Sequence, residues 1–220
     1  MLAPRTAETG CPQTPGSREI RGSSIARARH EARVLLARER LAAPRSAFRI
    51  HPVKEMRGDV LDFGAVSISA PPFATLSKDI TSVAAAACTL GAAVEERVSG
   101  LFKAHEPLLA MALDELATEM LFALSDRLYA AIRREGRRHG LQAGSPESPG
   151  DSALVLEVQA AVLALAGLPD EIVSANSRGM LRPVKSLSFI VPLGARLPAR
   201  SFLPRCLRCA SREGCRVRPQ

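Results

Sequence analysis

Tryptophan is missing from this chain of 220 residues, Tyr129 is its one tyrosine, and aromatic residues make up 4% of it. Specific nucleic-acid readers stack bases on flat aromatic faces, so this scarcity argues against a specific nucleic-acid partner. Long apolar runs are lacking as well. The most apolar stretch, Val83 to Val94, falls short of the roughly 20 residues that span a bilayer, which predicts no membrane partner. The N-terminus opens Met-Leu-Ala-Pro-Arg and then turns polar, without the apolar centre of a signal peptide. Five cysteines at irregular spacing do not make a secreted disulfide framework. These absences together predict a soluble, cytoplasmic protein.

What is present is a large stock of small and aliphatic residues: 46% of the chain is hydrophobic, enough for a real core built from Ala, Leu, Val and Ile. The net charge is +8. Much of it sits near the ends, with nine Arg in residues 1–45 and a further series from Arg196 to Arg218. Basic tails attract polyanions weakly and without specificity. The chain therefore divides into a basic N-terminal extension (1–45), a folded domain (46–195) and a basic, cysteine-containing tail (196–220).

Residues 1–20 are rich in Pro, Gly, Thr and Arg without periodicity and read as disordered. A helix is expected over 24–43, capped by Ser23 or Ser24, with Val34, Leu35 and Leu41 on its apolar side and Pro44 ending it. Phe48–His51 alternates apolar and polar residues like a half-buried strand, as does Val66–Ser69 at the end of 60–69. Gly58-Asp59 supplies a turn between them. A short helix is expected near Phe73–Asp79, then a buried strand Val83–Cys88 that delivers Thr89-Leu90-Gly91 at its tip. The clearest helix runs from Pro107 to Arg134, because Leu109, Leu113, Leu116, Met120, Leu124, Leu128 and Ile132 fall on one face. A Gly/Ser/Pro loop, 142–151, precedes a helix Ala153–Ala166 capped by Asp151 or Ser152 and stopped by Gly167 and Pro169. Ile172–Ser174 and Ser186–Leu193 read as closing strands. The fold class is thus α+β: a mixed, largely antiparallel twisted sheet with a long helix packed on it.

Several short segments follow one another in a telling order. Thr89-Leu90-Gly91 follows a buried run, and the long helix carries Ala112-Leu113-Asp114-Glu115-Leu116. Ser148-Pro149-Gly150 precedes Leu156-Glu157 and Gln159. Ser174-Ala175-Asn176-Ser177 is followed by Pro183-Val184-Lys185-Ser186-Leu187-Ser188. This series, over roughly residues 45–218, resembles the activation domain of vitamin B12-dependent methionine synthase, especially its short stand-alone relatives. The resemblance implies an accessory role in cobalamin-dependent methyl transfer. In the family, cobalt in the inactive Co(II) state is reduced and then methylated from S-adenosylmethionine. Cobalamin would be carried by a partner, either a corrinoid-carrying protein or other methionine synthase modules. No cobalamin-binding Asp-x-His-x-x-Gly segment occurs in this chain, so it is not expected to be a complete methionine synthase. Partner docking is expected through the helix face or the basic tails.

The resemblance also implies a binding site for S-adenosylmethionine made of Ser148, Pro149, Gly150, Asp151, Glu119, Ser177, Lys185 and Ser186, with no catalytic side chain required. The family's loop reads Arg, two residues, then Pro-Gly-Tyr. Here Pro146 stands at the Arg position and Asp151 at the Tyr position. The first change removes a planar cation suited to a carboxylate, and the second removes a flat ring and its hydroxyl. Glu115, Glu119 and Asp126 on the long helix are alternative partners for a cationic group, or solvated carboxylates.

A different class of function is read from Cys206, Cys209 and Cys215. Two thiolates three residues apart can bite one metal, and the third adds a ligand, which points to zinc or an iron–sulfur cluster in a redox protein. Arg205, Arg208, Arg212 and Arg216 nearby would favour the thiolates. Cys88, Cys11, a His or a partner molecule would have to supply a fourth ligand. His30, His51, His105 and His139 show no paired ligand spacing. A third reading keeps the fold as a binding module that has lost S-adenosylmethionine.

Overall fold

A computed structural model of the chain describes residues 16–151 and 154–197. Helix α1 (Gly16–Arg38) leads into strand β1 (Arg45–Pro52) and a three-stranded meander of β2 (Glu55–Arg57), β3 (Val60–Asp62) and β4 (Ser67–Ser69). A 3-10 turn over Pro71–Leu76 precedes β5 (Ser82–Thr89), then come α2 (Ala93–Lys103) and α3 (Pro107–Arg138). The chain returns through β6 (Gln142–Ala143), α4 (Gln159–Ala166), the small hairpin β7 (Ser174–Ala175) and β8 (Leu181–Arg182), and finally β9 (Ser186–Gly194). The main sheet has the order β1-β5-β9-β6, and every pairing in it is antiparallel. The α+β class and the long helix packed on the sheet are as the sequence predicts.

Strand β5 is the centre of the molecule. Its residues Val83 to Cys88 are all fully buried, because helices cover both faces of the sheet, and a strand shielded on both sides reads as a continuous apolar run. Ala84, Ala86 and Cys88 face the layer formed by α1, α2 and α3, joined by Phe189, Val191 and Leu193 of β9. Val83, Ala85 and Ala87 face the other way, with Ile190, and meet Val162, Leu163 and Ala166 of α4 and Leu61 and Ile68 of the meander. Alanine at four successive positions lets backbone elements on both sides approach closely, which is how a chain poor in aromatics fills its interior.

Helix α3 buries Leu109, Leu113, Leu128 and Ile132 as predicted, while Leu116, Met120 and Leu124 lie at the edge of the stripe. It runs on to Arg138, four residues past the expected Arg134, since Gly136 is accommodated inside it. Helix α1 departs further from expectation. It begins at Gly16, inside the segment read as disordered, and ends at Arg38 rather than at 43. Among its described side chains, Ala28, Ala32 and Leu35 are buried, with Val34 half exposed at 49%. Small Ala at steps of four and three allows close packing on α3, a stripe that a search for large apolar residues passes over. Helix α2 has no counterpart in the sequence pattern. Its N-cap is Ala92, with no side-chain cap bond, so the usual start signal is missing. Helix α4 starts at Gln159, after a 3-10 turn over Leu156–Val158, rather than at Ala153. No helix among the described residues is long and apolar enough to cross a membrane.

Candidate functional site

The segment after α3 is drawn along the outer edge of β9. Gly144 N–H donates to the Pro192 carbonyl at 2.8 Å, and Glu147 and Ile190 exchange backbone bonds of 2.9 and 2.8 Å. These bonds carry the chain toward the N-terminal end of β9, where the Ser148–Asp151 loop closes on itself. Asp151 N–H donates to the Ser148 carbonyl at 3.0 Å, and Gly150 N–H to the Leu154 carbonyl at 2.8 Å. Opposite stands the β7–β8 hairpin, folded around Asn176, whose Oδ1 accepts from the backbone N–H of Arg178 at 2.9 Å and of Met180 at 3.0 Å. An Asn side chain bonding its own following backbone fixes a tight turn without help from distant residues.

Between loop and hairpin lies a cleft of about 540 Å³. One wall is the loop, with Ser148, Pro149, Gly150 and Asp151. The hairpin wall has Asn176, Gly179, Met180, Leu181 and Arg182, and the floor comes from Ser186, Leu187 and Ser188 of β9 with Leu156 and Gln159. Gln159 and Ser188 are buried at 3% each, and the Gln159 amide donates to Ser188 Oγ. Ser186 Oγ donates to Thr89 Oγ1 at 2.8 Å, which ties the floor to the tip of β5. The cleft thus combines hydroxyls, an amide, exposed backbone at two glycines and an aliphatic lining.

Five of the eight residues proposed from sequence, Ser148, Pro149, Gly150, Asp151 and Ser186, line this cleft together. The other three are placed elsewhere. Ser177 is exposed in the hairpin turn and does not line it. Glu119 lies on α3, where its carboxylate, with that of Glu115, takes the two arms of Arg29 from α1 at 2.7 Å each. The hydrogen bond to Glu119 is the main reason the Arg29 guanidinium is held above its ordinary pKa. Lys185 points through the opposite face of the sheet, as side chains on a strand alternate. Its Nζ meets Asp114 Oδ1 at 2.8 Å and Thr118 Oγ1 at 2.9 Å on α3.

The Lys185 pair is a structural tie. The lysine side chain is 11% exposed but Asp114 is 50% exposed, so water can replace the lysine at the carboxylate. Lys185→Met, which keeps most of the stem, is expected to cost about 1 kcal/mol in urea unfolding. Lys185→Ala, which also removes the packed stem, is expected to cost about 2 kcal/mol. Equal losses for the two variants would show that charge, not packing, carries the interaction.

Leu156 and Gln159 were singled out by the sequence, but Asn176, Gly179, Met180 and Arg182 reach the cleft only through a hairpin of two-residue strands that sequence periodicity does not reveal. Asp126 is exposed on α3, outside the cleft. Cys206, Cys209 and Cys215, as well as Cys11, lie outside the described residues. Cys88 is buried in β5, and no cluster of three metal-ligating side chains occurs among the described residues. His51 Nε2 is bonded to the Leu165 carbonyl at 2.8 Å, and His139 to Glu135 at 3.2 Å.

No protein-family model matches the chain, and no curated protein matches it in sequence. Among solved structures it is similar to a crystal structure of the MetH reactivation domain bound to AdoHcy, with a TM-score of 0.59 and 15% sequence identity. The match covers 88% of this chain and 73% of that chain. At this identity the similarity is one of fold, and the fold of this chain is that of the MetH reactivation domain.

Proposed function

We propose that the chain is an accessory protein of cobalamin-dependent methyl transfer, and that its cleft holds S-adenosylmethionine while a cytoplasmic, corrinoid-carrying partner presents its cobalt. The observation that carries this reading is the cleft itself. It is walled by the Ser148–Asp151 loop and floored by Ser186–Ser188, on a fold similar to a domain solved with AdoHcy. A volume of about 540 Å³ lies within the roughly 300–1,000 Å³ of pockets that take ligands of this size. Gly150 lets a ligand come close to the loop backbone.

When bound, the cofactors supply the hard chemistry, with reduced cobalt as nucleophile and the sulfonium as a good leaving group. The protein's part is to hold and align the methyl donor and to keep water away from it. The aliphatic side chains of Leu156, Leu181 and Leu187 provide such a lining. Met180 and Val184, which line the cleft, are exposed at 58% and 65%, giving an apolar rim for the partner to cover. The carboxylates of α3 and Lys185 are assigned no role in the ligand site on this reading.

Isothermal titration of the purified chain with S-adenosylhomocysteine and S-adenosylmethionine, with and without a cobalamin-loaded partner domain, tests the proposal. Saturable binding in the micromolar range is expected, tightened when the partner is present. The absence of heat under every condition would leave a binding module of this fold without its ligand.

A further inference from the structure

The cleft is lined by one cationic and one anionic side chain among the described residues, Arg182 and Asp151. They come from different walls, Asp151 from the loop and Arg182 from β8. Neither side chain makes a hydrogen bond or ion pair with another described residue. Both are exposed, so holding them unpaired costs little in the free protein. Two opposite charges that share a cleft and do not neutralise each other are arranged for a ligand that carries both signs itself.

We propose that Arg182 and Asp151 form a zwitterion clamp for the α-amino-acid end of the ligand. Arg182 takes the carboxylate and Asp151 the ammonium. The inference rests on the proposed function and deepens it, by naming the residues that recognise one end of the molecule. A guanidinium offers two parallel N–H donors that match a carboxylate's two oxygens, and an aspartate accepts from an ammonium at any of its three hydrogens. The remaining lining suits the other end of such a ligand. Met180, Leu181 and Leu187 are apolar, and Gln159 and Ser188 offer polar contacts on the floor.

The clamp also fits the charge of the loop. From Ser148 to Asp151 the loop carries one charged side chain, the carboxylate of Asp151. With the anion on the loop, the carboxylate end of the ligand is repelled from that wall and drawn to the hairpin, where Arg182 stands. The direction in which the amino-acid end lies is thereby set by electrostatics, and charge-assisted bonds supply its affinity.

The test compares two probes, S-adenosylhomocysteine and 5′-methylthioadenosine, which keeps the nucleoside and the thioether but lacks the amino-acid end. Each is titrated into the full chain and into Arg182→Gln and Asp151→Asn. S-adenosylhomocysteine is expected to weaken by about tenfold in each variant, the low end for charged bonds at an exposed site. Methylthioadenosine is expected to change less than about twofold, since it makes neither contact. Arg182→Lys should fall between, as an ammonium replaces the fork. Unchanged affinity of Arg182→Gln for S-adenosylhomocysteine would overturn the clamp while leaving the proposed function standing. Equal weakening of both probes would overturn it too, because the residue would then shape the cleft rather than read a charge. If the unaltered chain binds neither probe, the clamp and the proposed function fall together.

Discussion

Gly194→Ala is expected to destabilise the protein by about 3 kcal/mol, the upper end for overpacking, because the obstacle is backbone. A Cβ at this position would lie 1.8 Å from the carbonyl oxygen of Asp79 and 2.9 Å from its carbon. That carbonyl cannot swing away cheaply. Asp79 and Ile80 N–H both donate to the Leu76 carbonyl, at 3.0 and 3.1 Å, and Thr81 N–H donates to Leu193 at 2.9 Å. Moving the segment to admit a methyl would break the hydrogen bonds that start β5 beside β9. Gly194 also pairs with Gln142 of β6, so the same shift loosens the edge along which the chain travels to the 148–151 loop. The control is Gly100→Ala in α2, where a Cβ would meet nothing within 4 Å; there a gain of about 0.5–1 kcal/mol is expected from helix propensity. Urea unfolding of the two variants checks both signs. A loss below about 1 kcal/mol for Gly194→Ala would mean that the Asp79 turn yields more easily than its hydrogen bonds suggest.

The contrast between these glycines shows where sequence reading reaches and where it stops. The apolar run Val83–Cys88 and the periodic leucines of α3 announce the centre of the fold, since burial on one or two faces writes itself directly into residue order. The loop at 148–151 and the strand from Ser186 are legible for the same local reason: Gly and Pro break the chain, and alternation resumes after it. Helix α2 escapes because it follows an apolar strand with only Leu90–Ala92 between them and begins without a capping side chain. Lys185 was grouped with Ser186 and Ser188 by proximity in sequence. The alternation of side chains along the strand, however, sends it to α3 while Ser188 turns toward Gln159 of α4. Glu119 is likewise engaged away from the cleft lining, with Arg29 of α1. Asn176, Gly179 and Arg182 join the site through contacts between segments far apart in the chain, and no local pattern encodes those. Asp151 is plain in the sequence as a charge beside Pro149 and Gly150, but Arg182 comes to share its cleft only through the hairpin.

Gly179→Val should remove ligand binding with a far smaller effect on the fold as a whole. Gly179 sits at φ +75°, and a Cβ there would stand 2.7 Å from the Leu156 carbonyl oxygen and 2.8 Å from Leu156 Cγ. A left-handed backbone costs an ordinary residue about 1–2 kcal/mol and is worse for a branched one. The clash with Leu156 adds about 1–3 kcal/mol. The strain falls on a hairpin whose strands are two residues each, closed by the Asn176 side chain and a short backbone ladder. Such an element opens locally before the sheet gives way. Opening withdraws Met180, Leu181 and Arg182 from one wall and lets Leu156 move on the floor, so the binding-competent form becomes a minor population. If that form falls to about one per cent, the affinity for S-adenosylhomocysteine falls about a hundredfold, while urea unfolding of the main sheet changes by no more than about 1 kcal/mol. Gly194→Ala works the other way round, weakening the main sheet first. A Gly179→Val protein that binds as tightly as the original would place the ligand away from the hairpin. A protein that loses binding and global stability together would make the hairpin part of the cooperative core, not an independently opening wall.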